Sequence, residues 1–140
     1  MTDDAGAATA ARTAQGDDVV ELRLPADGAY LSVLRTATAG LAARLDFTLD
    51  EIEDLRIAVD EACALLLPDA APGAELTCVF ALADESLSVT VSVLSRTGRV
   101  PRRNTFAWTV LTALAGEVDA SADGDRRVSV TLRKQRGGRG

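Results

Sequence analysis

Histidine occurs nowhere in the 140 residues, which excludes every mechanism built on an imidazole base, a phosphohistidine or the usual zinc ligand sets. The two cysteines, Cys63 and Cys78, each sit within an apolar pattern and lack the paired spacing of a zinc or redox motif, so both are expected as buried free thiols. Chemistry must therefore rest on carboxylates, hydroxyls, arginines or a bound cofactor. Glu61 lies in the helical run LDFTLDEIEDLRIAVDEACALL, where by itself it reads as a solvated carboxylate or a member of an ion pair. Arg96, Arg99, Arg102 and Arg103 crowd the segment RTGRVPRRN; such a run usually keeps a surface soluble, and a binding role is its less common meaning. Arg35 carries a planar, permanently charged fork suited to pairing with a carboxylate, and is otherwise a surface arginine on an amphipathic helix. Phe106 and Trp108 read as core anchors at a helix start rather than a platform for stacked bases, because no basic stripe accompanies them.

Positioning these groups requires a folded unit, and the hydrophobic pattern places it over residues 18–134. The polar, small-residue segment 1–17 and the arginine- and glycine-rich segment 135–140 are expected to be mobile tails. Val20, Leu22 and Leu24 alternate with charged residues as in a half-buried strand, broken by Pro25 to Gly28. Between Tyr30 and Leu45, Leu31, Leu34, Thr38, Leu41 and Leu45 recur at helical intervals. A second helix starts at Thr48, whose hydroxyl caps it while Glu51 reaches back, and its stripe of Ile52, Leu55, Val59, Ala62, Cys63 and Leu66 ends before Pro68. Alternation through Leu76 to Leu82 and Leu87 to Val93, reversed at Asp84 and Glu85, gives a hairpin. Asn104 is expected to cap a third helix with Phe106, Val110 and Leu114 stacked four apart and Gly116 at its end, and a last hairpin turns at Asp123 and Gly124. The order predicts an α+β fold, a two-layer α/β sandwich with a mixed, mostly antiparallel sheet and three helices on one face.

A formal net charge of -6 disfavours direct nucleic-acid binding, which needs a basic surface to neutralise phosphates. No apolar run approaches the length that crosses a bilayer, and the opening residues lack the basic start and apolar middle of a secretory signal. The expected location is the cytoplasm, away from membranes.

The helix LDFTLDEIEDLRIAVDEACALL resembles the first nucleotide-binding box of the GHKL (Bergerat, histidine-kinase-like) ATPases, and TFAWTVLTALAGEV falls where their lid and following helix stand. With the strand order, from about Val20 to Leu132, the chain is similar to the RsbW and SpoIIAB family of anti-sigma factors, most closely its UsfX-like branch. The resemblance implies that Glu61 matches the family's general base for phosphoryl transfer to a serine. Leu65 stands at the family's magnesium-binding asparagine, and leucine supplies no oxygen to a metal. In VLSRTG, Leu94 aligns with the adenine-binding aspartate and Arg96 with the first glycine, which leaves Gly98 as the retained glycine. Thr105 and Ala107 replace lid glycines, while Arg103 keeps the register of a basic residue beside the phosphates.

The same resemblance matches Arg35 to the arginine that touches both the sigma factor and its competitor, with Leu31 and Thr38 sharing part of that side. It implies a homodimeric anti-sigma factor that sequesters a stress or developmental, SigF-like sigma factor and is released by a STAS-domain anti-anti-sigma factor. With the nucleotide boxes replaced, no cofactor is expected. ATP and magnesium enter only under the alternative, an active serine/threonine kinase with Glu61 as base and Arg103 steadying the phosphates. Control is expected through antagonist availability, phosphorylation by another enzyme, or redox chemistry at the antagonist or an accessible cysteine.

Overall fold

The computed structural model describes residues 18–137; the expected tail at 1–17 and the last residues, 138–140, lie outside them. Strand alternation produces β1 (Asp18–Pro25), β2 (Glu75–Leu82), β3 (Ser86–Leu94), β4 (Glu117–Ala122) and β5 (Arg127–Gln135), in the spatial order β1-β2-β3-β5-β4. All four pairings are antiparallel, so the sheet is not mixed: β1 meets β2 antiparallel after a two-helix connection, and β5 turns back from β4 to lie against β3. The register aligns Phe80, Val89 and Leu132 across three strands, then Cys78, Val91 and Val130, then Leu76, Val93 and Val128. Because side chains alternate with period two, these rows share one face, and all are buried. Burial of such a side chain contributes about 1.5–3 kcal/mol, and a one-residue slip would forfeit the whole set.

The helices α1 (Leu31–Arg44), α2 (Leu49–Leu66) and α3 (Phe106–Ala115) cover that face, with α2 in the middle against both other helices and against β3 and β5. Leu34, Thr38 and Ala42 of α1 and Leu55, Ala58, Val59, Ala62, Cys63 and Leu66 of α2 are its buried stripes. The capping box at Thr48 is present: Thr48 N–H donates to Glu51 Oε1 at 2.8 Å and Glu51 N–H to Thr48 Oγ1 at 3.1 Å. That pair satisfies two N–H groups that no helical carbonyl reaches.

The third helix differs in phase from the expectation. Thr105, not Asn104, caps it, accepting from Trp108 N–H at 3.2 Å. Starting one residue later turns Trp108, Leu111 and Ala115 inward, leaves Val110 and Leu114 half-buried, and puts Phe106 outside at 83% exposure. Trp108 is thus the core anchor and Phe106 is not. Gly116 ends the helix at φ 95°, a left-handed backbone that suits glycine.

The chain past the expected boundary at 134 is tied down as far as residue 137. Gln135 completes β5, Arg136 donates from its backbone N–H to Glu85 O at 2.7 Å and from Nη1 to Leu45 O at 3.2 Å, and Gly137 N–H donates to Glu51 Oε2 at 2.6 Å. On the open face of the sheet, hydroxyls pair across β3 and β5, Thr90 with Thr131 at 3.0 Å and Ser92 with Ser129 at 2.7 Å. Among the described residues no helix is long and apolar enough to cross a membrane.

Candidate functional site

Helix α2 ends at Leu66, and a 3-10 turn over Leu67–Asp69 carries the chain beside the exit of β3. Two backbone bonds lock the two segments together, Ala71 N–H to Leu94 O at 2.8 Å and Arg96 N–H to Asp69 O at 2.8 Å, while Ser95 N–H to Arg126 O at 2.8 Å ties the β3 exit to the turn before β5. Between them opens a cavity of about 200 Å³, with Leu65, Leu66, Val93, Val100, Pro101 and Val128 as apolar walls and Asp69, Ser95, Arg99 and Arg102 as polar ones.

The loop that follows β3 satisfies itself. Buried Ser95 accepts, through Oγ, from Gly98 N–H at 2.9 Å and Thr97 N–H at 3.1 Å. Thr97 Oγ1 accepts from Arg99 N–H at 3.1 Å and donates to Asp69 Oδ2 at 3.0 Å. Gly98 is demanded by this turn: it sits at φ 73°, and a Cβ there would stand 2.8 Å from Arg126 Cγ. The glycine therefore has a local structural reason.

Strand parity sets Leu94 apart from the cavity. Leu94 points to the open face among Arg23, Thr77, Ser92 and Arg127, whereas Val93 and Ser95 line the cavity. Of these two lining positions Ser95 is the polar one. Sequence reasoning missed Ser95 and Asp69, although the inward series Leu87, Val89, Val91, Val93 extends by parity to residue 95.

Glu61 lies on α2 one turn before Leu65, half-buried, and makes no hydrogen bond or ion pair among the described residues. Arg103 is engaged elsewhere: its Nη2 donates to Asp119 Oδ1 at 2.6 Å and Ala120 O at 3.3 Å, and its guanidinium lies 5.0 Å from the Trp108 ring centroid. The Arg103 hydrogen bond, then the Ala120 backbone, hold the Asp119 carboxyl below the usual carboxylate range. No group of three or more metal-binding side chains occurs among the described residues.

At the α1–α2 contact, Arg35 Nη1 donates to both carboxylate oxygens of Asp60, at 2.9 and 3.1 Å. The two side chains are 33% and 37% exposed, so the pair is worth only about 0.2–1 kcal/mol after solvent screening. Leu31 is half-buried against the core edge. Thr38 is fully buried and its hydroxyl donates to Leu34 O at 2.8 Å, so it is a core residue and offers no surface for docking. Cys63 and Cys78 are both buried and free, so the protein has no accessible cysteine in this fold. Burial pushes the Cys78 thiol up to about 12 and the Cys63 thiol higher still.

No protein-family model matches the chain. It is 36% identical over 110 residues to the anti-sigma-F factor RsbW of Mycobacterium tuberculosis (strain ATCC 25618 / H37Rv), an alignment covering 79% of this chain and 66% of that protein. It is 36% identical over 75 residues to the serine-protein kinase RsbW of Bacillus cereus (strain ATCC 10987 / NRS 248), covering 52% of this chain and 47% of the relative. The crystal structure of the RsbU and RsbW domains of Rv1364c from Mycobacterium tuberculosis superposes with a TM-score of 0.66 at 16% identity, over 84% of this chain and 32% of that one. The chain thus spans 66% of the mycobacterial relative's length and less of the Bacillus one. Sequence identity and the shared fold together establish that the chain belongs to the RsbW-type family.

Proposed function

We propose that the chain is an anti-sigma factor of the UsfX-like branch that works by exchanging partners and does not turn over ATP. It holds an alternative, SigF-like sigma factor away from RNA polymerase and releases it to a STAS-domain anti-anti-sigma factor. The relationship over 110 residues to a protein named anti-sigma-F factor carries this reading. Helix α1 is the docking element, with Arg35 as its anchor and Leu31 beside it. Asp60 occupies only Nη1 of Arg35, which keeps the fork oriented while its other nitrogens remain for a carboxylate on either partner. The protein acts as a homodimer in the cytoplasm.

Three features support the absence of turnover. Leu65 gives a magnesium ion no oxygen. The N–H groups of Thr97, Gly98 and Arg99, which would otherwise cradle phosphate, are taken by Ser95 and Thr97 hydroxyls. Arg103 is bound to Asp119. The residues present do not fit magnesium ATP, and Glu61 and Gly98 serve structure and solvation. The kinase alternative draws on one observation, that Glu61 is unpaired and thus able to take a proton from a serine hydroxyl.

Capture of the sigma factor by wild type and by Arg35→Glu, run beside a phosphotransfer assay on the STAS-domain protein, tests the reading. Expected are capture by wild type, its loss in the variant and no phosphorylated antagonist. Transfer that depends on Glu61 would establish the kinase instead, and unchanged capture by Arg35→Glu would remove α1 as the docking element.

A further inference from the structure

We propose that the cavity at the end of α2 is a binding site for a small anion with an apolar body, a ring-sized carboxylate in particular. The proposal rests on reading this cavity as closed to nucleotide; sigma-factor capture has no part in it.

The arginines of the loop divide into two kinds. Arg96 donates to Pro68 O at 3.2 Å and stands 3.9 Å from Asp69 Oδ1, and Arg103 is held by Asp119. Arg99 and Arg102 are different: their guanidinium groups make no hydrogen bond or ion pair among the described residues, and both line the cavity. A run that only kept the surface soluble would have no reason to place its two unpaired members at a cavity whose walls are leucine, valine and proline. The acidic group in the lining does not cancel them, because Asp69 already accepts from Thr97 Oγ1 and faces Arg96.

The ligand's class follows from what the walls offer. Leu65, Leu66, Val93 and Val128 present apolar surface, so the body that enters is apolar. The backbone N–H groups of Thr97, Gly98 and Arg99 are taken by hydroxyls, so recognition of charge falls to guanidinium groups, whose planar fork matches a carboxylate. A volume of about 200 Å³ suits a single ring, since an apolar cavity of about 150 Å³ holds benzene. Seated there, the ligand bridges the end of α2 to the loop preceding α3.

Benzoate serves as the probe, titrated into the isotopically labelled full chain while backbone amide resonances are followed. Saturable shifts are expected at Leu66, Ser95 and Val100, with a Kd on the order of 1 mM or tighter. Arg99→Gln with Arg102→Gln should weaken binding about tenfold, and so should replacing benzoate by neutral benzyl alcohol. Val100→Trp, at an exposed loop position, should plug the mouth and abolish the shifts while the dispersion of the spectrum reports an intact fold. Absence of saturable shifts, shifts centred elsewhere, or an affinity indifferent to both arginines overturns the proposal. Magnesium ATP perturbing the same amides more tightly than benzoate also overturns it, together with the reading of the cavity as closed to nucleotide. Failure with benzoate while sigma capture persists refutes the ligand site and leaves the anti-sigma reading standing.

Discussion

Replacing Arg35 by alanine separates the structural role of this side chain from its role in docking, because the two carry different magnitudes. In the isolated chain Arg35 loses one ion pair, to an Asp60 that is itself more than a third exposed. Water solvates the orphaned carboxylate, so the folding free energy should fall by no more than about 1 kcal/mol. In the complex an arginine at the centre of a docking surface is worth about 2 kcal/mol or more, which is about 30-fold in Kd. The disproportion is the signature: Arg35→Ala melts nearly as wild type and captures the sigma factor at least 30-fold more weakly. Arg35→Lys should recover charge without the fork and fall between the two. Asp60→Asn should leave capture near the wild-type level, because the carboxamide oxygen still accepts from Nη1 and keeps the fork oriented. Chemical denaturation of each variant beside surface-immobilised sigma-factor binding makes the comparison. Equal losses in stability and affinity, or affinity untouched by Arg35→Ala, would refute the assignment.

Other consequences are more local. Thr48→Ala removes the capping box of α2 and should cost about 1 kcal/mol, read as a lowered denaturation midpoint. At Glu51, desolvation raises the carboxyl pKa, but the N–H groups of Thr48 and Gly137 outweigh it and hold the group below its ordinary value. The stability it contributes is therefore present above the unfolded pKa of about 4.3 and lost as pH falls through the lower folded value, and Glu51→Gln should flatten that acid limb. Phe106→Ser should change stability by less than about 0.5 kcal/mol, whereas Trp108→Ala should cost about 3–5 kcal/mol; the reverse ranking would restore the helix phase set by Asn104. Cys63 and Cys78 should resist a thiol reagent at neutral pH in the native protein and react fully in denaturant.

The hydrophobic pattern carried most of the architecture, because alternation in strands and a capping box are local signals. Leu76 to Leu82 and Leu87 to Val93 could face a core only one way, and Thr48 with Glu51 fixed the start of α2 within its own first turn. The third helix went astray since Asn104 and Thr105 are both good caps, and choosing between them requires knowing which side Trp108 must enter. The mostly antiparallel sheet was legible from its two hairpins, whereas the direction of β1 against β2 is set by how the two-helix connection returns the chain. At the site, Leu65 came into view only through the resemblance, which sets it four residues after Glu61. The neighbours that take up Arg35 and Arg103, Asp60 and Asp119, lie 25 and 16 residues away and become visible only in three dimensions. Thr38 already stood in the stripe read from helical spacing, and only the resemblance moved it to the docking side; its hydroxyl is satisfied within its own helix by Leu34 O.

Sigma-factor affinity measured with and without magnesium ATP tests the account at its centre. A helix that docks through Arg35 while Leu65 denies magnesium a ligand predicts a stable complex whose Kd is the same in both conditions. A complex that forms only with nucleotide, or tightens when it is added, would contradict that claim.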